Sequence, residues 1–179
     1  MGNDIWIVSA KRTPIGRFQG QLQGYSAPQL GAFAIKAAMD ASGVSEVDEV
    51  YMGSVLPAGC GQAPARQAAL GADLPLTTGC TTINKVCGSG MKSVMLAHDL
   101  IKAGSIRSAI AGGMESMTNA PYLLKEARNG MRMGHQSTHD HMFLDGLQDA
   151  YEGHLMGVYA QQTADRSEFT REQIDEWAI

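Results

Sequence analysis

Hydrophobic and polar positions along the chain follow two alternating rhythms. Residues 5–10 (Ile-Trp-Ile-Val-Ser-Ala) form a short, β-branched apolar run, the pattern of a strand buried on both faces. Lys11 to Gly24 carries Pro14 and three glycines and reads as a long loop. Ser26 and Gln29 have capping-box spacing, with Pro28 in the first turn, where its missing N–H costs little. Leu30, Phe33, Ala34, Ala37 and Ala38 then recur as the apolar stripe of a helix that should stop near Gly43. Residues 47–55 read as a second strand and 62–72, rich in Ala, as a helix after the turn Pro57–Gly61. Residues 78–86 read as a third strand. A helix over roughly 88–103 is apolar around most of its circumference, with Lys92, Asp99 and Lys102 as its polar positions, which predicts burial. Gly104 ends it, and 108–113 is a last strand. Strands and helices alternating in this way predict an α/β fold of right-handed βαβ units, a mixed and mostly parallel sheet covered by helices on both faces.

The rhythm changes after about Met117. Residues 119–153 are polar, contain Met and His, and lack clear periodicity. A helix resumes from His154 through Tyr159 and Ala164, and Thr170 with Gln173 opens another that reaches only Ile179. A helix of that length is marginal alone. The pattern predicts a loop-rich excursion after about Met117 in a chain truncated inside a larger protein.

Composition narrows the class. The 179 residues are 44% hydrophobic and 18% charged, which excludes a disordered chain. Fourteen Lys and Arg against 18 Asp and Glu give a net charge of -4, a poor match for a phosphate backbone, so nucleic acid is not an expected partner. No apolar run approaches the roughly 20 residues needed to span a bilayer, and the N-terminus lacks a signal-peptide pattern. Cys60, Cys80 and Cys87 cannot all pair and form no CxxC. These features together lead us to expect a cytoplasmic, membrane-free protein.

Cys87 is the most informative residue. In Asn84-Lys-Val-Cys-Gly-Ser-Gly90 a thiol stands between the end of a strand and the start of a helix. The unsatisfied N–H groups of a helix N-terminus favour a thiolate and can also hold the oxyanion formed when sulfur attacks a carbonyl. Gly88 and Gly90 leave room for an acyl group. A buried small hydrophobe is the alternative reading of the same pattern. Two phosphate motifs fall short: Ser93 stands where GxGxxG needs its third Gly, and Met91 separates Gly90 from Lys92 where a Walker loop needs them adjacent. His135, His139 and His141 have a spacing that could bind a metal, but no HExxH or CxxC accompanies them, and a solvated loop is expected. Glu115 follows the last strand and could be a general base or a hydrogen-bonded structural carboxylate.

Four stretches in order carry a resemblance: Ile7-Val-Ser-Ala-Lys-Arg-Thr-Pro-Ile-Gly16, Pro64-Ala-Arg-Gln-Ala68, Asn84-Lys-Val-Cys-Gly-Ser-Gly-Met-Lys-Ser93, and Ala111-Gly-Gly-Met-Glu-Ser-Met117 with Ala120-Pro121. They resemble the thiolases, and among them the acetyl-CoA acetyltransferases, over nearly the whole chain, with Asp145-Gly-Leu and Met156-Gly157 continuing the likeness. The resemblance implies that Cys87 is the nucleophile accepting an acyl group from acyl-CoA, with its own N–H serving the oxyanion hole. A second acetyl-CoA would then attack, giving a 3-oxoacyl-CoA, or thiolysis in reverse. It implies CoA thioesters as substrates with no further cofactor and no metal, a homo-oligomer, and a place in fatty-acid metabolism. Gly88, Leu155 and Met156 are the implied substrate-binding positions. Short-chain biosynthetic thiolases often carry His before Met-Gly, where this sequence has Leu155 and puts His154 one position earlier. The resemblance also implies a core domain over 1–118 and, over 119–179, the beginning of a loop domain, truncated. The family's remaining catalytic Asn, His and second Cys, expected in a C-terminal half, have no counterpart here, so this chain alone is expected to be inactive. A thiolase-like condensing enzyme and a noncatalytic dimerisation half are the rival readings.

Overall fold

The computed structural model describes residues 4–179, which divide after Pro121 into two compact units. The first is built on three parallel strands in the order β2-β1-β3: β1 (Glu49–Gly53), β2 (Gly79–Ile83) and β3 (Ala109–Gly113). In register, Gly53 faces both Ile83 and Gly113, so all three strands end together along one edge. Central β1 is almost wholly buried. Helix α1 (Ala27–Ser42) leads into β1, α2 (Pro64–Gly71) crosses from β1 to β2, and α3 (Ser89–Lys102) crosses back from β2 to β3. Crossovers of one hand running in opposite directions put their helices on opposite faces. The side chains agree. Val50 and Met52 share a core with Ala27, Ala32 and Ile35 of α1 and Ala65, Ala68 and Ala69 of α2. Gly53, which points the other way on the pleat, abuts Ser89 of α3.

The helix ends are written in the sequence. Ser26 and Gln29 form a reciprocal capping box, and Gly43 closes α1 at φ 68°, a left-handed position that glycine enters without penalty. α1 buries Ala27, Pro28, Gly31, Ala32 and Ile35, while Phe33 of the expected stripe is exposed. The small-residue face is the one that lets two helices approach: a Cβ on Gly31 would lie 3.1 Å from the Ala68 Cβ, and one on Gly71 3.0 Å from that of Ala32.

Three further expectations are corrected. Residues 5–10 join no ladder among the described residues, and Trp6 and Ile7 are 78% and 81% exposed. β-Branched residues supply the extended preference, but a strand also needs a neighbouring edge, and none is paired here. Helix α3 is not buried all round: it lays Ser89, Ser93 and Ala97 on the sheet and leaves Met91, Val94 and Met95 exposed, because one sheet face covers only one side of a helix. Strand 78–86 is also shorter than expected, its last residues belonging to the turn that carries Cys87.

In the second unit, β4 (Tyr122–Leu123) pairs antiparallel with β5 (His139–Asp140). A π-helical turn over Phe143–Leu147, α4 (Met156–Arg166) and α5 (Arg171–Ala178) follow. Thr170 and Gln173 form the second capping box. His141 is buried, and its Nδ1 lies 2.6 Å from the Asp145 carboxylate, tying β5 to the π-helical turn.

Candidate active site

Between Ile83 and Ser89 the chain must leave a strand and enter a helix, and hydrogen bonds tie the backbone of Lys85, Val86 and Gly88. The Asn84 Oδ1 accepts the Val86 N–H at 2.9 Å. The Lys85 carbonyl accepts the Gly88 N–H, and the Val86 carbonyl accepts the Ser89 N–H, both at 3.1 Å. The Ser89 hydroxyl accepts the Lys85 N–H at 2.8 Å and donates to the Val86 carbonyl at 2.6 Å. Val86 sits at φ 46°, where a β-branched side chain goes only under constraint. The turn leaves Cys87 exposed, one residue before the N-cap. That N-cap, Gly88, provides no side-chain acceptor, so apart from the Ser89 N–H, which the Val86 carbonyl takes, the positive end of the helix has no side-chain cap beside the sulfur.

The helix start is seated directly on the strand ends. A Cβ on Gly53 would lie 2.6 Å from the Ser89 backbone, and one on Gly113 3.4 Å from the Gly90 Cα. No side chain larger than hydrogen fits at Gly53, which explains why the turn carrying the thiol is held so close to the sheet edge. In parallel α/β sheets this carboxyl edge is where ligands are taken.

The three thiols differ in setting. Burial pushes the Cys60 thiol up, and the Glu115 carboxylate adds to it. Burial also raises Cys80, against a smaller opposing pull from Arg66. Both are half-buried, whereas Cys87 is exposed. Glu115, two residues past β3, spends its carboxylate on the turn after β1: it accepts the Val55 N–H at 2.7 Å, the Leu56 N–H at 3.1 Å and the Ser54 hydroxyl at 3.3 Å. Of its two sequence readings, the structure supplies partners for the structural carboxylate.

The family model for the thiolase N-terminal domain matches residues 5–179. The chain belongs to the thiolase family. It is 51% identical over 178 residues to acetyl-CoA acetyltransferase 1 of Arabidopsis thaliana, covering 98% of this chain and 43% of that protein. It is 50% identical to an acetyl-CoA acetyltransferase of Cupriavidus necator, with 98% and 45% covered, and 52% identical to the mitochondrial acetyl-CoA acetyltransferase of Danio rerio, with 99% and 42% covered. The thiolase chain thus spans less than half the length of these relatives.

The remaining sequence-derived positions of this thiolase fall in two places. Gly88 is the N-cap of α3; a Cβ there would meet only the Lys85 carbonyl, at 3.5 Å, so the protein itself does not demand glycine. Leu155 and Met156 lie in the second unit, as N-cap and first residue of α4, both partly exposed. The histidines do not gather: among the described residues no group of three or more His, Cys, Asp or Glu is placed to hold a metal. The sequence reading missed the part played by Ser89 and Asn84, whose side chains shape the thiol turn. The signal was present in the Asn-x-x-Cys-Gly-Ser order, since Asn and Ser are the residues that bond nearby backbone.

Proposed function

We propose that the whole protein is an acetyl-CoA C-acetyltransferase and that Cys87 is its nucleophile. In the first half-reaction the Cys87 sulfur attacks the thioester carbonyl of acetyl-CoA, the carbonyl electrons move onto oxygen, and their return expels CoA as its thiol, leaving an acetyl thioester on Cys87. The Cys87 N–H, at the positive end of α3, is the donor for that oxyanion. In the second, another acetyl-CoA loses a proton from its α-carbon, that carbon attacks the thioester, and collapse of the adduct breaks the bond to the Cys87 sulfur, which takes up a proton; the product is a 3-oxoacyl-CoA, and thiolysis is the reverse. Gly88 is proposed to border the acyl group beside Cys87, while Leu155 and Met156 are proposed as substrate-binding positions on the family resemblance alone. The observation that carries the reading is an exposed thiol at an uncapped helix start, in a chain whose relatives at about half identity are named acetyl-CoA acetyltransferases. The exposed apolar face of α3, with Met91 67% exposed, supports association into a homo-oligomer. Three free thiols suit a reducing compartment and a cytoplasmic location; relatives include both a cytosolic protein of Gibberella zeae and mitochondrial ones.

Incubation with acetyl-CoA followed by peptide mass spectrometry tests the assignment. One acetyl group is expected on Cys87, absent from Cys87→Ala. Acetylation spread evenly over Cys60, Cys80 and Cys87, or none on Cys87, would overturn it.

A further inference from the structure

The thiol turn contains a brace that the chemistry above does not use. Ser89 is 5% exposed, and its hydroxyl reaches backward past Cys87 to the two residues before it: it accepts from the Lys85 N–H at 2.8 Å and donates to the Val86 carbonyl at 2.6 Å. The residue between those two contacts and the sulfur is Val86, held at φ 46°. A β-branched residue in the left-handed region is strained, and such a conformation persists only where its surroundings over-determine it. Asn84 fixes the Val86 N–H, and the Ser89 hydroxyl with the Ser89 N–H fixes its carbonyl. Ser89 in turn cannot retreat, because its backbone lies against Gly53 at the end of β1, and its own carbonyl is taken by the Ser93 hydroxyl at 3.0 Å.

We infer that Ser89 is a positioning residue for Cys87: its hydroxyl, clamped between the Lys85 N–H and the Val86 carbonyl, holds Val86 in the left-handed conformation that presents the sulfur at the helix start. The inference rests on the reading of Cys87 as the acyl-accepting thiol, but the geometry it describes is independent of the acyl donor. Without the hydroxyl, Val86 relaxes toward negative φ, Cys87 rotates away from the α3 amides, and the Lys85 N–H loses its acceptor. A displacement on the order of 1 Å at a reacting group can cost about a hundredfold in rate.

The experiment compares four proteins: wild type, Ser89→Ala, Val86→Gly and the double variant. Glycine occupies φ 46° without strain, so it should make the brace unnecessary. Two readouts are taken on Cys87, acetylation by acetyl-CoA over a concentration series and alkylation by iodoacetamide, with thermal unfolding to show that each variant is folded. Ser89→Ala should lower the saturating acetylation rate at least about tenfold with little change in the half-saturating concentration, and should slow alkylation of Cys87 but not of Cys60. The double variant should recover most of both losses. A folded Ser89→Ala with wild-type rates overturns the inference, and so does a double variant as slow as Ser89→Ala, since strain at Val86 would then not be what the hydroxyl opposes. Should Ser89→Ala not fold, Val86→Gly against the double variant still decides: near-equal rates support the brace, a large gap overturns it. If wild type shows no acetylation of Cys87, the nucleophile reading fails by itself, while the alkylation rates continue to test Ser89.

Discussion

Removing the carboxylate of Glu115 probes the second turn at the sheet edge. Its two oxygens accept three donors on the turn after β1: the Val55 N–H at 2.7 Å, the Leu56 N–H at 3.1 Å and the Ser54 hydroxyl at 3.3 Å. Ser54 and Leu56 are 2% and 4% exposed, so in Glu115→Ala water cannot readily replace what they lose, although the half-buried Val55 N–H recovers part of its loss. A stranded buried donor costs about 1–3 kcal/mol, more when its acceptor was charged. With two well-buried donors, one of them a hydroxyl free to rotate, the expected loss is about 2–4 kcal/mol. Glu115→Gln keeps one carbonyl oxygen for Leu56 and Ser54 but turns an NH2 toward the Val55 N–H, for a loss of about 1–2 kcal/mol. Urea unfolding at constant slope reads both from the shift in midpoint. Because the carboxylate also helps to hold the Cys60 thiol up, after burial, Glu115→Gln should speed alkylation of Cys60. An alanine variant within about 0.5 kcal/mol of wild type, the range of an ordinary surface substitution, would refute the clamp. A Gln variant of full stability and no turnover would restore the general-base reading.

Two further outcomes follow from the same geometry. Gly53→Ala places a Cβ 2.6 Å from the Ser89 backbone, which cannot yield as a side chain would, so we expect a loss of about 1–3 kcal/mol and slower alkylation of Cys87. Gly112→Ala, whose nearest neighbour is the flexible Met52 Sδ at 3.5 Å, should be milder, and equal effects would sink the account of close seating. At the opposite edge of the sheet, the Arg107 and Ser108 N–H groups hold the Asp48 carboxyl below its usual 3.8. A depressed folded value gives stability that is present above the unfolded one and lost as pH falls through the folded one. The unfolding midpoint of Asp48→Asn should therefore fall less than that of wild type as pH drops below about 4, and parallel acid limbs would contradict this.

Where local chemistry decides an element, the sequence was legible. Both capping boxes, the left-handed Gly43 and the three paired strands follow from side chains within a few residues of one another. The misplaced features depend on a partner distant in sequence. Apolar periodicity marks Leu30 and Phe33 as strongly as Ala32 and Ile35, and only the close approach of α2 through Ala68 and Gly71 selects the small face. Composition marks residues 5–10 as strand-forming, but a ladder needs a second edge. Likewise the bulk of Met91, Val94 and Met95 suggested burial, while the sheet took the Ser89, Ser93 and Ala97 face.

The candidate site shows the same division. Cys87 could be singled out because a thiol between the strand expected over 78–86 and Gly-Ser-Gly already implies a strand–helix junction. The sign of φ at Val86 could not, because nothing in a valine announces it: it follows from a hydroxyl three residues on finding both an N–H and a carbonyl. That hydroxyl is fixed by a helix start which fits only because positions 53, 90 and 113 lack Cβ atoms, and the strand ends are themselves cross-tied, the Ser54 N–H to the Ile83 carbonyl and the Met114 N–H to the Gly53 carbonyl, each at 2.9 Å. The thiol turn, the Glu115 clamp and the edge of the sheet therefore form one hydrogen-bonded body. A substitution at Gly53 should reach Cys87 through the backbone of Ser89, with no side chain of the thiol turn altered.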